Sequence, residues 1–306
     1  MKLTRRRYRS EDDYWAIRAF LREVYLLHDR RAVSWPVYRW DDWRWHINPN
    51  RLHLSLEAAV FLWETADGRL AAVLHPDGPD GACLQVHPAL RSTELEVEMI
   101  ATAETQFATV QPDGSQRLVL WAHECDSQRH DLLTRRGYTR GPRAEGQRRR
   151  TLTSPLPQAP LAPGYTVRAL GDETELPARS QLAWCVIHPN EPYRGWEWYR
   201  DVQRAPLYRR DLDLVAVAPD GELAAFATVW FDDVTRSAAF QPVGVHPHHQ
   251  LHGLGSAIIA EGLRRAAYLG ATLATAVVDC EVADAGYLAA GFVDCERSEP
   301  WIKQET

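Results

Sequence analysis

Cysteine is scarce in this sequence and forms no recognisable motif. The chain of 306 residues has five cysteines, and none of them lies in a CxxC pair. A small, odd and scattered set of thiols predicts neither a disulfide framework nor a zinc site built on cysteine. The sequence therefore favours a reducing compartment, and we expect a cytoplasmic protein.

Long apolar runs and a strong net charge are also lacking. No stretch approaches the roughly 18 apolar residues that a membrane-spanning helix needs. The basic start is followed by the acidic stretch SEDDYWAIRAF (10–20), where a signal peptide would have its apolar core. The formal net charge is -6, which gives no overall attraction to nucleic acid or to an anionic membrane. We expect neither as a partner.

Proline marks a boundary near the middle of the chain. The segment TSPLPQAPLAPG (153–164) contains four prolines, a composition that favours an extended connector. The length of the chain suits two domains. We therefore expect a domain at 1–152, a linker at 153–164 and a second domain at 165–306.

Three short patterns recur in the same order on either side of this linker. They are an Asp-Gly hairpin signal (66–72, 219–225), the tripeptide VHP (86–88, 245–247) and a helix-closing glycine before an aromatic residue (135–138, 289–292). Ordered repetition of this kind indicates a tandem repeat. The expected fold class is α/β (α+β), with two copies of one domain. Each copy has a mixed, mostly antiparallel central sheet flanked by helices.

The second copy has glycines where a strand gives way to a helix. After VHP it reads HHQLHGLGS (248–256), with glycine at 253 and 255. A helix N-terminus presents unpaired N–H groups and the positive end of the helix dipole, and glycine lets an anion approach them. The pattern predicts a phosphate cradle, although it is neither a GxGxxG fingerprint nor a Walker loop.

The first copy has no glycine at this place. Alignment on VHP puts Arg91, Glu94 and Glu96 opposite positions 250, 253 and 255, and alignment on the closing glycine puts Leu133 opposite Tyr287. Two carboxylates would then face a pyrophosphate. We expect the first copy to be a degenerate, non-catalytic scaffold.

The segment VGVHPHHQLHGLGSAIIAEGLRRAAYLGA (243–271) resembles the cofactor motif of the GNAT superfamily of acyl-CoA-dependent N-acyltransferases. Gln250, Gly253 and Gly255 match the Q/R-x-x-G-x-G/A pattern of that motif. Tyr287 lies four residues before Gly291 and so matches a later signature of the family. The tandem layout is similar to that of mycothiol synthases.

This resemblance implies transfer of an acetyl group from acetyl-CoA to a primary amine of a small molecule. It implies that the backbone of 250–256 binds the pyrophosphate and that the strand at 243–245 pairs with the pantetheine arm. The N–H of Val245 or its neighbour would hold the oxyanion, and Tyr287 would protonate the leaving thiolate. The residues assigned to the cofactor are Val243, Gly244, Val245, Gln250, Leu251, His252, Gly253, Leu254, Gly255 and Ser256.

Two departures from the family pattern leave the general base open. Gln241 stands where many relatives have Glu, and Cys280 stands where relatives often have Asn. The candidate bases are Asp232, Asp233, Glu191 and His188. An amine that is already neutral would need none of them. The alternative function is a coenzyme A-binding sensor or partner-binding protein without turnover.

Aromatic and histidine clusters complete the set of candidates. The segment 184–200 is expected at the acceptor, where Trp184, Tyr193, Trp196 and Trp198 would form either an amine cage or ordinary packing. The Trp-rich segment 34–46 is expected at an interdomain or dimer contact. The histidines of 246–252 have no second ligand set in the sequence, so we expect no metal. The protein is expected to be a monomer or a homodimer.

Overall fold

A computed structural model describes residues 2–153, 155–278 and 281–305, with 281–283 as backbone only. The chain forms two compact units. Unit 1 comprises Met1–Trp43, Ile47–Glu145 and Glu296–Thr306, and unit 2 comprises Arg44–His46 and Gly146–Cys295. The domain limits expected from the sequence stay a prediction.

Strands and helices alternate before the proline-rich segment. The strands are β1 (Thr4–Arg7), β2 (Phe61–Glu64), β3 (Leu70–Pro76), β4 (Gly81–Val86), β5 (Thr109–Val110), β6 (Gln116–His123), β7 (Thr139–Arg140) and β8 (Glu145–Thr151). The helices are α1 (Glu11–Leu27), α2 (Val37–Asp42), α3 (Leu56–Ala59), α4 (Thr93–Phe107) and α5 (Ser127–Arg135), and a π-helix spans Trp43–Leu52.

The order of elements is similar after that segment. The strands are β9 (Thr166–Ala169), β10 (Asp213–Val217), β11 (Leu223–Asp232), β12 (Ser237–Val245), β13 (Leu273–Val278) and β14 (Asp294–Glu305). The helices are α6 (Leu176–Ile187), α7 (Glu197–Gln203), α8 (Leu254–Tyr268) and α9 (Glu281–Ala289). Among the described residues, no helix combines the length and the apolarity needed to cross a bilayer.

The strands of each unit pair in a mixed pattern. The main strand order is β1-β2-β3-β4-β6-β14 in unit 1 and β8-β13-β12-β11-β10-β9 in unit 2. Only the β4–β6 and β12–β13 pairs are parallel among the described pairs. Helices α4 and α5 pack on the first sheet, and α8 and α9 pack on the second. The predicted fold class is confirmed.

The last strand of each sequence half belongs to the sheet of the other unit. β8, which precedes the proline-rich segment, pairs with β13 in unit 2. β14, at the end of the second half, pairs with β6 in unit 1 from Ser298 onward. The proline-rich segment also belongs to unit 2, because Leu156 and Leu161 pack against the core that contains α8.

Most of the Trp-rich segment 34–46 lies in unit 1, and its expected role at an interdomain or dimer contact stays a prediction. Trp35, Trp40 and Trp43 are buried in unit 1, with ring centroids 4.4, 5.4 and 5.6 Å from that of His75. These rings form a core cluster because they surround a single buried imidazole. Only the end of the segment, from Arg44, belongs to unit 2, where His46 stacks on Trp198 at 5.2 Å.

Candidate functional site

Strands β12 and β13 separate at their carboxyl ends. Their parallel pairing ends at Phe240 and Ala276. Strand β12 continues to Val245 and β13 continues to Val278. A wedge, bounded by 241–245 and 277–278, therefore opens within the described part of the sheet, and we call it the β12–β13 wedge.

Backbone groups of β12 face into this wedge. On its other side β12 pairs with β11, and the His246 N–H donates to the Ala224 carbonyl at 2.8 Å. Hydrogen-bonded pairs alternate along an antiparallel ladder, so Gly244 bonds to β11 whereas Val243 and Val245 do not. The N–H and C=O groups of these two valines consequently point into the wedge, as an unpaired strand edge.

The ladder between β11 and β12 is irregular beside the wedge. Its register shifts between Ala227 and Val229, opposite the cis peptide bond of Gln241–Pro242. The Trp230 indole N–H donates to the Gln241 carbonyl at 2.6 Å. The backbone at Gln241 is thus held by the neighbouring strand.

Gly244 is required by packing. A Cβ atom there would lie 2.7 Å from the Phe226 ring and 2.8 Å from Val186 of α6. Because successive side chains point to opposite faces of a strand, Val245 faces the other way, toward α8. The absence of a side chain at 244 is explained by the close approach of α6, and a cofactor role for Gly244 stays a prediction.

The start of α8 is open. Gly253 is the N-cap residue, with a φ of 73° in the left-handed region, and no side chain caps the helix. Glycine is needed at 253 because other residues rarely adopt this backbone conformation. A Cβ atom at Gly255 would lie 3.6 Å from Val245, an ordinary van der Waals contact. Packing therefore does not demand glycine at 255.

The remaining residues of this loop are exposed or polar. A 3-10 turn at Pro247–His249 precedes it, and Leu251 is fully exposed with a φ of 65°. His252 Nδ1 lies 2.8 Å from the Gln250 carbonyl. The loop thus presents its backbone rather than an apolar surface.

Tyr287 lies on α9 and is 5% exposed. Its ring meets the Phe292 ring edge-on at a centroid distance of 5.2 Å, and the Phe292 N–H donates to the Tyr287 carbonyl at 3.0 Å. It belongs to the same core cluster as Leu254 and Ile258 of α8. The residue therefore has a packing role, and its predicted role as an acid stays a prediction.

Unit 1 contains the corresponding wedge in a closed form. β4 and β6 pair in parallel only at Gly81 and Ala82, and β4 then continues to Val86. The His87 N–H donates to the Ala71 carbonyl. Hydrogen-bonded and non-hydrogen-bonded pairs alternate along the antiparallel β3–β4 ladder, so the Leu84 carbonyl points away from β3. Arg129 of α5 donates to that carbonyl from Nη1 at 3.1 Å. Sequence reasoning missed this closure because no local pattern links α5 to β4.

Arg129 belongs to a buried ion-pair network. Glu96, which is fully buried, accepts from Arg129 Nε at 3.0 Å and from Arg91. Arg91 Nη2 also donates to Asp126 at 2.7 Å. Burial would raise the pKa of Asp126, but Arg129 and Arg91 outweigh it and hold the pKa below its usual value. The charges of this region of unit 1 thus satisfy one another.

The start of α4 corrects the alignment made on VHP. The N-cap Ser92 lies five residues after His87, whereas Gly253 lies seven residues after His246. The helix therefore starts two residues earlier in the first copy. Glu94 then matches Gly255, and Glu96 falls two positions further along, pointing inward. Ser92 Oγ accepts from the Leu95 N–H at 3.2 Å, so this helix start is capped by its own side chain.

The predicted acceptor segment is only partly assembled. The Trp184 ring lies 6.3 Å from Tyr193 and 6.4 Å from Trp198 between centroids. Arg200 stacks on Trp196 at 4.4 Å, so the face of that ring is filled by the protein itself. Three of the four predicted aromatic residues come together, and Trp196 is not seen to join them.

The candidate bases already have partners. Asp232 accepts from the Thr235 hydroxyl at 2.7 Å and from its N–H at 3.3 Å, which is turn chemistry. His188 Nδ1 lies 3.2 Å from the Glu191 carboxylate. Asp233 is exposed. Cys280 lies outside the described residues.

Known proteins match this chain at the levels of family, sequence and fold. The model of the acetyltransferase (GNAT) family matches residues 178–292. A mycothiol acetyltransferase from Salinispora arenicola is 32% identical over 227 residues, which cover 69% of this chain and 67% of that protein. One from Salinispora tropica is 30% identical over 214 residues, covering 65% and 66%. The alignments thus span about two thirds of each relative.

Two solved structures have the same fold over nearly the whole chain. A GCN5-related N-acetyltransferase from Sphaerobacter thermophilus has a TM-score of 0.69 at 18% identity, covering 99% of this chain and 95% of that one. A tandem GNAT protein from the clavulanic acid biosynthesis pathway has a TM-score of 0.68 at 16% identity, covering 99% and 98%. At such identities the likeness concerns the fold alone.

Proposed function

The chain belongs to the GNAT family of acetyltransferases, and on this premise we propose that unit 2 transfers an acetyl group from acetyl-CoA to a primary amine of a small molecule. The observation that carries this proposal is the difference between the two wedges. The β12–β13 wedge offers the free backbone edge of Val243 and Val245, whereas Arg129 blocks the equivalent edge in unit 1. A free strand edge beside an uncapped helix start suits an extended arm that ends in a pyrophosphate.

The residues of unit 2 fit such a cofactor. Residues 250–256 lead into the N-terminus of α8 and form its first residues, where a negative charge is stabilised by the helix dipole. Gly255 needs no glycine for packing, so its missing side chain is explained by close approach of an anion. Val243 and Val245 pair with the pantetheine arm as an added strand. When bound, acetyl-CoA supplies the activated thioester.

The chain's own groups then handle charge and protons. The N–H of Val245 or its neighbour stabilises the oxyanion. The Tyr287 hydroxyl gives its proton to the departing sulfur. A phenol with an ordinary pKa near 10 does so only because the site positions it.

The acceptor amine enters already neutral. Gln241 is an amide and takes up no proton near neutral pH, Asp232 is bonded to Thr235, and His188 lies beside Glu191. Gln241 therefore orients the amine or a water, and water carries away the proton that the amine nitrogen loses as the new C–N bond forms and the C–S bond breaks. The limb of kcat/KM that rises with pH should follow the pKa of each amine used. A limb at one fixed pH for all amines would show that an enzyme base acts instead.

Two features support a small acceptor. The relatives reported above are mycothiol acetyltransferases, and relatives of that name are in keeping with a small acceptor. The Trp184 ring of unit 2 lies 6.3 Å from the Tyr193 ring and 6.4 Å from the Trp198 ring between centroids, which gives an aromatic cluster of limited size.

The test is thiol release from acetyl-CoA with a panel of small amines. We expect turnover with at least one amine, and mass spectrometry should find that amine acetylated. The Gly255→Glu variant should show no turnover, because its carboxylate faces the pyrophosphate. Tight coenzyme A binding without turnover on any amine would contradict the proposal and favour a coenzyme A sensor.

A further inference from the structure

We propose that Glu222, His246 and His249 form a binding site for a divalent cation of the Zn²⁺ class. One ligand atom from each of the three side chains lies within 4.8 Å of the others. The sequence predicted no metal because the histidines of 246–252 had no second ligand set. Glu222, from the turn between β10 and β11, supplies the missing carboxylate.

The sheet itself brings these residues together. The His246 N–H donates to the Ala224 carbonyl at 2.8 Å, which fixes the end of β12 beside the start of β11. Glu222 lies two residues before Ala224, on the turn closed by the 2.8 Å bond from the Ala218 N–H to the Glu222 carbonyl. The carboxylate is therefore held next to the histidine turn by backbone bonds that need no cation.

The His249 ring is oriented by a second residue. Tyr165 OH lies 2.9 Å from His249 Nδ1, and the other ring nitrogen, Nε2, lies 3.4 Å from the Glu222 carboxylate. Histidine ligands in metal sites are usually held in this way, with one nitrogen on the metal and the other on a hydrogen-bond partner. The contact with Tyr165 thus directs His249 Nε2 toward Glu222.

His246 is less constrained. Its Nδ1 accepts a long bond of 3.3 Å from the His248 N–H. A hydrogen bond of this length is weak, so little free energy is lost if the ring turns to bind a cation. His248 lies on the same turn but is not one of the three clustered side chains, and this makes it a matched control.

The donor set selects the class of cation. Two imidazoles and one carboxylate suit Zn²⁺, which binds three such ligands and a water. Mg²⁺ and Ca²⁺ prefer sites made of oxygen. Glu222 is exposed and the histidines are half-buried, so water reaches the remaining position. A bound cation would join the β10–β11 turn to the loop that precedes α8.

The test is calorimetric titration of the full chain, freed of metal and of any histidine tag, with Zn²⁺ at about pH 7.5, where imidazoles are mostly neutral. Co²⁺ absorption gives a second readout that does not depend on activity. We expect one equivalent to bind wild type and His248→Ala. His249→Ala and Glu222→Gln should lose it.

Tyr165→Phe keeps all three ligands and removes only the partner of His249, so we expect about tenfold weaker binding. Circular dichroism would reveal a ligand variant that fails to fold. In that case Tyr165→Phe still tests the proposal, because it changes none of the three ligands. Absence of binding to wild type, or equal binding by wild type and His249→Ala, would overturn the proposal. So would a loss in His248→Ala as large as that in His249→Ala.

Discussion

Among single residues, Gly253 and Gly255 belong to one sequence pattern but are glycine for different physical reasons. Gly253 has a left-handed backbone conformation, whereas a side chain at Gly255 would make only an ordinary contact. Substitution at 253 would therefore strain the backbone, and a loss of cofactor binding could not be distinguished from a loss of folding. A Cβ atom at 255 meets no clash, so we expect substitution there to preserve the fold and to test the cofactor role.

Tyr287→Phe tests the proposed acid. We expect kcat to fall roughly 10- to 1000-fold, the range typical of one general acid, while the Kd for coenzyme A stays the same. The ring contact with Phe292 survives, because only the hydroxyl is removed. Steady-state kinetics and calorimetry measure the two quantities. Tyr268→Phe, on the exposed surface of α8, is the control. An unchanged kcat would leave Tyr287 with packing alone.

His75 should make the stability of the chain sensitive to acid. Burial lowers the pKa of His75 from 6.5 to about 4. The neutral ring fits its site, since Nδ1 lies 3.0 Å from the Pro76 carbonyl and Nε2 lies 3.2 Å from the Gln85 amide nitrogen. The unfolded chain binds the proton more readily than the folded chain, so acid favours unfolding.

The contribution of His75 to the free energy of unfolding is therefore fully present above about pH 6.5, and it is lost as the pH falls toward 4. The shift corresponds to about 3 kcal/mol in the free energy of unfolding. Urea denaturation across this range should show a smaller fall for His75→Phe than for wild type. Equal pH dependence in the two proteins would show that His75 is not the cause.

At the scale of elements, α4 and α8 show what the sequence could predict. Both follow a strand and a VHP turn, and the strand–helix order, the glycine-rich start and the family were predictable from local patterns. The closure of the β4–β6 wedge was not, because Arg129 meets Leu84 over 45 residues of chain. The two-residue difference in loop length was hidden too, because the shared VHP tripeptide does not determine how many residues later the helix begins.

Arg129→Ala should destabilise unit 1. It would leave the Leu84 carbonyl without its donor and the buried Glu96 with Arg91 as its remaining ion-pair partner, and breaking a buried pair costs about 3 kcal/mol or more. The control is Arg69→Ala, whose ion pair with Glu23 is more than half exposed on both sides, where such pairs contribute about 1 kcal/mol or less. The free energy of unfolding in urea measures both. Similar losses in the two variants would refute a structural role for the network.

At the scale of the whole chain, the exchange of terminal strands could not be read from the sequence. β8 and β14 have strand-forming patterns, but a pattern does not say which sheet a strand joins. Nor did composition reveal that Leu156 and Leu161 bind the proline-rich segment to the core of unit 2. Proline content predicted an extended chain, and the few apolar residues within it decide where that chain lies.

The central claim is that each chain has one coenzyme A site, and that this site lies in unit 2. Calorimetric titration with coenzyme A tests it most directly, with wild type, Gly255→Glu and the neutral isostere Gly255→Gln. We predict one equivalent for wild type and a loss of affinity on the order of a hundredfold or more for Gly255→Glu, because a carboxylate is placed beside a pyrophosphate. Gly255→Gln should lose less. Two equivalents per chain, or unchanged binding by Gly255→Glu, would contradict the account.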